Sequence, residues 1–149
     1  MTEYPTTADV LAVHEDQIAQ HGGAAGLRDQ GALESALYRP QTGYYSDLIE
    51  EAAALWESLS QNHPFIDGNK RTSCIVAITF LTTNGYDITA GADEDSIPFV
   101  TGLYERHEFR FENLVEWLRR YAIPITSEEP NPSDKTTAPF PVPPVLNSP

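Results

Sequence analysis

The segment from Asn69 to Asn84 constrains the fold of this chain more than any other part of it. It reads as one helix that ends at the stop signal Asn84-Gly85. Beyond a polar first turn, the helix is apolar on nearly every side, through Cys74, Ile75, Val76, Ala77, Ile78, Phe80 and Leu81. Because no face of such a helix suits water, other elements must enclose it. We therefore predict a bundle in which this helix is central and buried.

Apolar residues recur at helical spacing along most of the remaining chain as well. Residues 86–88 are a candidate short strand, and 22–29 and 40–46 are the only substantial loops that the pattern leaves. The fold class is therefore predicted to be all-α, a compact helical bundle. The other helices are predicted from about Thr7 to Gly22, from about Gln30 to Arg39, from the N-cap Asp47 to about Asn62, from about Asp93 to Tyr104 and from Phe111 to Tyr121.

The chain is strongly acidic, with 9 lysines and arginines against 22 aspartates and glutamates and a net charge of -13. Direct binding of nucleic acid is therefore not expected, since it needs a basic surface. The single cysteine, Cys74, excludes an intramolecular disulfide. No strictly apolar run exceeds the five residues of 74–78, which are too few to span a membrane, and no secretory signal is recognisable at the N-terminus. We expect a soluble, cytoplasmic protein without membrane contact.

Composition changes once along the chain. Most of the 12 prolines lie at or beyond Pro124. Proline lacks a backbone donor and interrupts helices, so a segment this rich in it is expected to be extended and disordered. We predict a helical domain over residues 1–125 and a proline-rich C-terminal tail over 126–149.

Residues 63–71, which read His-Pro-Phe-Ile-Asp-Gly-Asn-Lys-Arg, join the third predicted helix to the central one. Pro64 and Gly68 keep the two helices from fusing, so a tight loop leads directly into a helix N-terminus. The first amides of a helix have no partner within it, and the helix dipole adds partial positive charge, which together make an anion site. Lys70 and Arg71 oppose that dipole, so their position in such an acidic chain suggests that an anion is expected there.

The same loop carries further groups that suit phosphate chemistry. Asp67 offers carboxylate oxygens, the ligands that Mg²⁺ prefers when it bridges to phosphates. His63 is a candidate general base, since histidine accepts protons readily near neutral pH. Phe65 is expected to anchor the loop in the core. Taken singly, each residue has an ordinary explanation as a cap, a turn, a solvated charge or a core residue; together they make a phosphoryl or nucleotidyl transfer site with a nucleotide as phosphate source.

This motif resembles the nine-residue signature of the Fic/Doc family, H-x-F-x-(D/E/N)-(A/G)-N-(G/K)-R, in which x is any residue and parentheses enclose the alternatives at one position. Residues 26–37 with Arg39-Pro40, and the helix that carries His14, are similar to the segments typical of death-on-curing (Doc) toxins, which belong to toxin–antitoxin pairs. The resemblance implies a Fic/Doc fold and covers most of residues 1–125.

The resemblance also implies roles for individual residues. His63 is implied as the base that deprotonates a target hydroxyl, and Asp67 as the ligand of Mg²⁺. The phosphates of ATP are implied to bind at Gly68, Asn69, Lys70 and Arg71. Their backbone amides and the side chains of Asn69 and Arg71 would make the contacts, and Lys70 would add positive charge.

Two positions distinguish between reactions within the family. AMP-transferases of the Fic type have glycine where this chain has Lys70, and a second arginine where it has Cys74. Doc-type proteins share the lysine, and the resemblance implies that the γ-phosphate of ATP then occupies the anion site and passes to a threonine of elongation factor Tu, which arrests translation. Two alternatives stay open: a protein AMP-transferase, and a non-catalytic module that binds a partner or regulates an operon.

A separate antitoxin is also implied. Fic proteins that inhibit themselves carry a helix in which Ser or Thr is followed, after three residues, by Glu and then by Gly or Asn. The nearest matches, which begin at Ser46 and Thr101, lack that last Gly or Asn. The resemblance therefore implies a Phd-like antitoxin that folds across the active-site cleft. The acidic charge would favour a partner with basic side chains.

Two loops near the motif have open interpretations. By resemblance, the loop 41–46 is a target-docking flap that pairs main chain with the substrate, as a small β-hairpin formed around Thr42, Gly43 and Tyr44; alternatively, its tyrosines only cover the bundle. Arg28 and Asp29 are expected either to pair with each other or to cap the helix that begins at Gln30.

Overall fold

The computed structural model of the chain describes residues 1–89 and 91–125, without the side chain of Asp93. The predicted proline-rich tail, 126–149, lies outside the described residues. The described part is an all-α bundle, as predicted, with a small antiparallel sheet and a short 3-10 helix at Arg39–Gln41. Its elements are α1 (Thr7–His21), α2 (Gln30–Tyr38), α3 (Leu48–Gln61), α4 (Asn69–Thr83), β1 (Tyr86–Ile88), α5 (Ala92–Glu105), α6 (Phe111–Tyr121) and β2 (Ala122–Pro124).

Helix α4 is the centre of the bundle, as its apolar pattern predicts. Every residue from Thr72 to Leu81 is buried, and α4 packs most extensively against α3 and then against α1. Helix α3 contributes the fully buried Trp56, which touches the rings of Phe109 and Trp117 edge-on. The site loop 62–68 joins the two helices that pack together most closely.

Three side-chain caps explain where the outer helices begin. Thr6 and Asp9 form a reciprocal capping box at the start of α1. The carboxylate of Asp29 accepts from the amide of Ala32 at 3.0 Å, and that of Asp47 accepts from the amide of Glu50 at 2.9 Å. The predicted cap at Asp47 is therefore confirmed, and of the two alternatives for Asp29 the structure has the cap.

The small sheet joins β1 to β2. Tyr86 pairs with Pro124 and Ile88 with Ala122 in antiparallel register. The strand at 86–88 was expected, whereas β2 was not, because three residues that follow a helix directly carry no strand pattern. This sheet lies at the C-terminal end of α4, opposite to the site loop. None of the helices within residues 1–89 and 91–125 combines the length and the apolar character that a membrane span needs.

The prediction of a β-hairpin flap at residues 41–46 is wrong. Among the described residues the named strands are only β1 and β2. Pro40 instead lies within the 3-10 helix, which suits its fixed φ, and the backbone and hydroxyl of Thr42 both donate to the carbonyl of Arg39. Residues 39–42 therefore form a helical turn, and residues 43–46 form no strand.

Candidate active site

The site loop is bounded by two residues in the left-handed backbone region. Asn62 caps the end of α3, and His63 follows with a φ of 48°. Gly68 has a φ of 79° and is the N-cap of α4. Because the chain reverses at both points, α4 starts only a few residues after α3 ends. The side chains of His63 and Asp67 are exposed on this loop.

The N-terminus of α4 is open. No side chain caps it, and the first amide to donate into the helix is that of Thr72, which bonds to the carbonyl of Gly68 at 3.0 Å. Within the described residues, no acceptor faces the backbone amides of Asn69, Lys70 and Arg71. Unpaired amides at a helix start, together with the helix dipole, attract an anion.

The carboxylate of Asp67 is held in place by two backbone amides. Oδ1 accepts from the amide of Gly68 at 2.9 Å, and Oδ2 accepts from the amide of Ala24 at 3.2 Å. Each oxygen keeps a further lone pair for a ligand. The described residues contain no cluster of three or more metal-ligating side chains. A lone carboxylate suits Mg²⁺, which takes its remaining ligands from phosphates and water.

Phe65 anchors the loop in the core. Its side chain is only 2% exposed, and its ring stacks on that of His14 with centroids 3.8 Å apart and planes inclined by 6°. The Nε2 of His14 donates to the carbonyl oxygen of Asp67 at 2.8 Å, which fixes the tautomer of this buried imidazole. Helix α1 therefore holds both the anchor and the backbone of the proposed metal ligand.

The loop 22–29 runs alongside the site loop and pairs with it. The amides of Arg28 and Asp29 donate to the carbonyl of Pro64 at 2.7 and 3.0 Å. The amide of Ile66 donates to the carbonyl of Gly26 at 3.1 Å, and Leu27 and Phe65 form an antiparallel bridge. Sequence reasoning missed this pairing, although the glycines of the loop hinted at a close approach of two backbones.

Arg28 does not pair with Asp29, which caps α2 instead. The Nε of Arg28 donates to the carbonyl oxygen of His63 at 2.6 Å, and its Nη2 donates to the carbonyl oxygen of Asn62 at 2.9 Å. Both acceptors lie where the carbonyls at the end of α3 lack partners within the helix. The guanidinium therefore fixes the backbone that carries the candidate base.

The side chain of Asn69 holds the loop closed. Its Oδ1 accepts from the amide of Phe65 at 3.0 Å, and its Nδ2 donates to the carbonyl of Phe65 at 2.9 Å. These two bonds use only one of the two Nδ2 hydrogens, so the expectation that this side chain binds phosphate stays a prediction. The backbone amide of Asn69 is also available to an anion.

Lys70 and Arg71 line a cavity of about 120 Å³ between α4 and α5. Cys74 also lines it but is only 2% exposed. Burial raises the pKa of the Cys74 thiol to about 12, although the nearby Arg71 acts in the opposite direction. The thiol is therefore neutral, and the positive charge beside this cavity comes from Lys70 and Arg71.

The segment proposed as a flap lies against another part of the bundle. Tyr44 is 83% exposed and touches the ring of Tyr45, which in turn packs on Phe111 at the start of α6. Arg39 donates to the hydroxyl of Tyr45 at 2.7 Å. These contacts fit the alternative in which Tyr45 covers the bundle, while Thr42, Gly43 and Tyr44 remain candidates for target docking.

The sequence model of the Fic/DOC family matches residues 4–81, from the segment before α1 to near the end of α4. The chain belongs to this family. It is 44% identical over 100 residues to Toxin Doc of Mycolicibacterium smegmatis, an alignment that covers 64% of this chain and 75% of that one. It is 32% identical over 84 residues to Protein kinase doc of Escherichia phage P1, which covers 54% of this chain and 67% of that protein.

Membership of the Fic/DOC family confirms the family predicted from residues 63–71. The residues that the family model matches include α1, loop 22–29 and the site loop, which are the elements that make contact around the N-terminus of α4. Helices α5 and α6 lie beyond the matched residues. The wall that α5 contributes to the cavity beside Lys70 is therefore not defined by the family match.

Proposed function

We propose that this chain is the toxin of a toxin–antitoxin pair and acts as a protein kinase. It would transfer the γ-phosphate of Mg²⁺·ATP to a serine or threonine hydroxyl of a translation factor, which by resemblance is elongation factor Tu. The observation that carries the proposal is one loop that bears an exposed imidazole and a fixed carboxylate and leads directly into three unpaired amides at the start of α4. The printed names of the two relatives, a toxin and a protein kinase, support it.

Each group has a part in the transfer. The amides of Asn69, Lys70 and Arg71 would bind the γ-phosphate, and the side chain of Arg71 would add charge beside it. Asp67 would hold Mg²⁺, which neutralises charge on the phosphates when it is bound. His63 would accept the proton of the target hydroxyl as its oxygen bonds to phosphorus, and ADP would leave.

Phosphate transfer is favoured over AMP transfer by two side chains. Lys70 occupies the position where AMP-transferases have glycine, and its stem narrows the space beside the first turn of α4. Cys74, in place of a second arginine, is buried and uncharged, so it offers nothing to hold the far end of a triphosphate in the AMP-transferring orientation. Both features favour the orientation that presents the γ-phosphate.

We further propose that a Phd-like antitoxin covers the site and that the pair acts in the cytoplasm. Two apolar side chains at the site are exposed: Ile66 within the motif at 57% and Leu27 on the adjacent loop at 36%. Exposed apolar groups around a polar site suit a partner segment that buries them on binding. The net charge of -13 favours basic side chains in that partner.

Intact-mass analysis of purified elongation factor Tu, after incubation with this protein and Mg²⁺·ATP, tests the proposal. A gain of about 80 Da per modified site would mark phosphorylation. Asp67→Asn should greatly reduce the gain and raise the Mg²⁺ concentration needed. Asp87→Asn, which removes an exposed carboxylate on β1 at the other end of α4, should not.

Other results would contradict the proposal. A gain of about 329 Da would instead mark AMP transfer, the alternative chemistry of transferases in this family. Growth arrest in cells that is equally strong for the wild type and for His63→Ala would favour a non-catalytic module that only binds a partner.

A further inference from the structure

Lys70 has an unusual neighbour for a cation in the first turn of a helix. Its Nζ lies over the ring of Tyr104, 4.3 Å from the centroid. The ion pairs of the described residues do not include Lys70. A positive charge at a helix N-terminus is repelled by the dipole, whereas the face of an aromatic ring attracts it. The ring of Tyr104 is therefore what holds the ammonium of Lys70.

Tyr104 is itself held on two sides. Its ring stacks on that of Phe109, with centroids 4.5 Å apart and planes inclined by 22°. Its hydroxyl forms a hydrogen bond with the hydroxyl of Ser60 on α3. The backbone of Phe109 is tied to the same helix, because its carbonyl accepts from Nε2 of Gln61 at 2.9 Å. The ring that receives Lys70 is therefore fixed with respect to the end of α3 and the site loop.

A fixed partner matters for lysine in particular. Its flexible stem allows the ammonium many positions, and each must be given up when a phosphate is bound. Held by Tyr104, the side chain lies along the cavity that Arg71 also lines. The side chain of Lys70 has then already lost part of its conformational entropy before a nucleotide binds. Preorganisation of this kind raises affinity, because less entropy is lost on binding.

We propose that Tyr104 is a positioning residue for nucleotide binding, acting through Lys70 to place a second cation beside the anion site of α4. The inference rests on the proposed function, because it assigns Lys70 to a bound triphosphate. Tyr104 lies on α5, beyond the residues that the family model matches.

Calorimetric titration with Mg²⁺·ATP of four proteins tests this role: the wild type, Tyr104→Leu, Lys70→Met and the double variant. Loss of the aromatic face should weaken ATP binding about three- to tenfold in the Lys70 background. In the Lys70→Met background the same change should have no effect on ATP affinity. Tyr104→Phe, which keeps the ring but loses the bond to Ser60, should lie between Tyr104→Leu and the wild type.

Tyr4→Leu is the matched control for loss of a structural tyrosine. Tyr4 also stacks on a phenylalanine, Phe80, with centroids 5.5 Å apart, and its hydroxyl donates to Glu51 at 2.7 Å. It lies toward the other end of α4. Tyr4→Leu should lower thermal stability much as Tyr104→Leu does, but leave ATP affinity unchanged.

Failure of the inference can be told apart from failure of the proposed function. If the wild type binds ATP and Tyr104→Leu binds it equally well, or if Tyr104→Leu weakens binding just as much without Lys70, the positioning role is overturned and the kinase proposal stands. If the wild type binds no ATP, the proposed function is overturned and the positioning role with it. If Tyr104→Leu weakens ATP binding only when Lys70 is present, the result supports both the positioning role and the proposed function.

Discussion

The guanidinium of Arg28 is bonded to the carbonyl oxygen of His63, at 2.6 Å from Nε. It bridges to the carbonyl of Asn62 as well, at 2.9 Å from Nη2. His63 has a φ of 48°, a conformation that costs free energy in a residue with a side chain and that persists only where its surroundings hold it. Arg28 therefore stabilises the backbone from which the candidate base projects.

Replacement of Arg28 should lower kcat strongly but the free energy of unfolding only slightly. Both carbonyls lie near solvent, so water can replace the guanidinium, and Arg28→Met should cost no more than about 1 kcal/mol of unfolding free energy. The displaced imidazole should lower kcat for phosphate transfer about tenfold or more. Chemical denaturation and steady-state kinetics measure the two effects.

Arg110→Met is the matched control. Arg110 donates to the carbonyl of His107 at 3.1 Å, and His107 is the other described non-glycine residue with positive φ, at 58°. It lies between α5 and α6, outside the site loop. Equal loss of kcat in the two variants would contradict the positioning role of Arg28.

Gly23 and Gly22 provide a second matched pair. Both have positive φ, 113° and 82°, so alanine is strained at either position. At Gly23 a Cβ would also lie 2.8 Å from Oδ2 of Asp67, whereas at Gly22 it would meet nothing within 4 Å. Each variant should lose about 1–3 kcal/mol of stability from backbone strain.

Only Gly23→Ala should change the metal dependence of the reaction, because only there must the carboxylate of Asp67 move. The Mg²⁺ concentration for half-maximal activity should rise for Gly23→Ala and remain that of the wild type for Gly22→Ala. Identical Mg²⁺ curves for both variants would show that Asp67 does not hold the metal.

The helices could be predicted from the sequence because their signals are local. Apolar spacing and the caps at Asp29 and Asp47 lie within a few residues of the elements that they define. The absence of a polar face on α4 likewise predicted its central position. The chemistry of residues 63–71 was recognisable for the same reason, since these groups are neighbours in the chain.

The remaining features depend on contacts between distant residues. Nothing local indicates that Ala122–Pro124 pairs with Tyr86–Ile88, or that Arg28 reaches the carbonyl of His63. Asn69 shows a different limit. An asparagine at a helix start can bind a ligand, hold its own loop or do both, and the sequence alone does not show that this one bonds the backbone of Phe65.

The raised pKa of Cys74 predicts a specific weakness in alkaline solution. Burial raises this pKa from 9.0 to about 12, so the folded thiol keeps its proton at a pH where the unfolded thiol has lost it. The folded state then binds more protons, and stability falls as the pH rises from about 9 toward 12, by up to about 1.4 kcal/mol per pH unit.

Comparison with Cys74→Ala isolates this contribution from those of the tyrosines. Between pH 8 and pH 10, the free energy of unfolding measured in urea should fall more for the wild type than for Cys74→Ala. The native thiol should also react with iodoacetamide only as fast as the protein unfolds. Rapid alkylation of the folded protein at pH 8 would contradict the burial of this thiol.

The most direct test of the central claim, that the N-terminus of α4 presents the γ-phosphate of ATP to a hydroxyl beside His63, is label transfer from ATP to the purified translation factor. ATP labelled at the γ-phosphate should label the target, and ATP labelled at the α-phosphate should not. His63→Asn, which tolerates the left-handed backbone at this position, should fold normally and transfer at most about a hundredth as fast. Transfer of the α-label, or undiminished γ-transfer by His63→Asn, would contradict the claim.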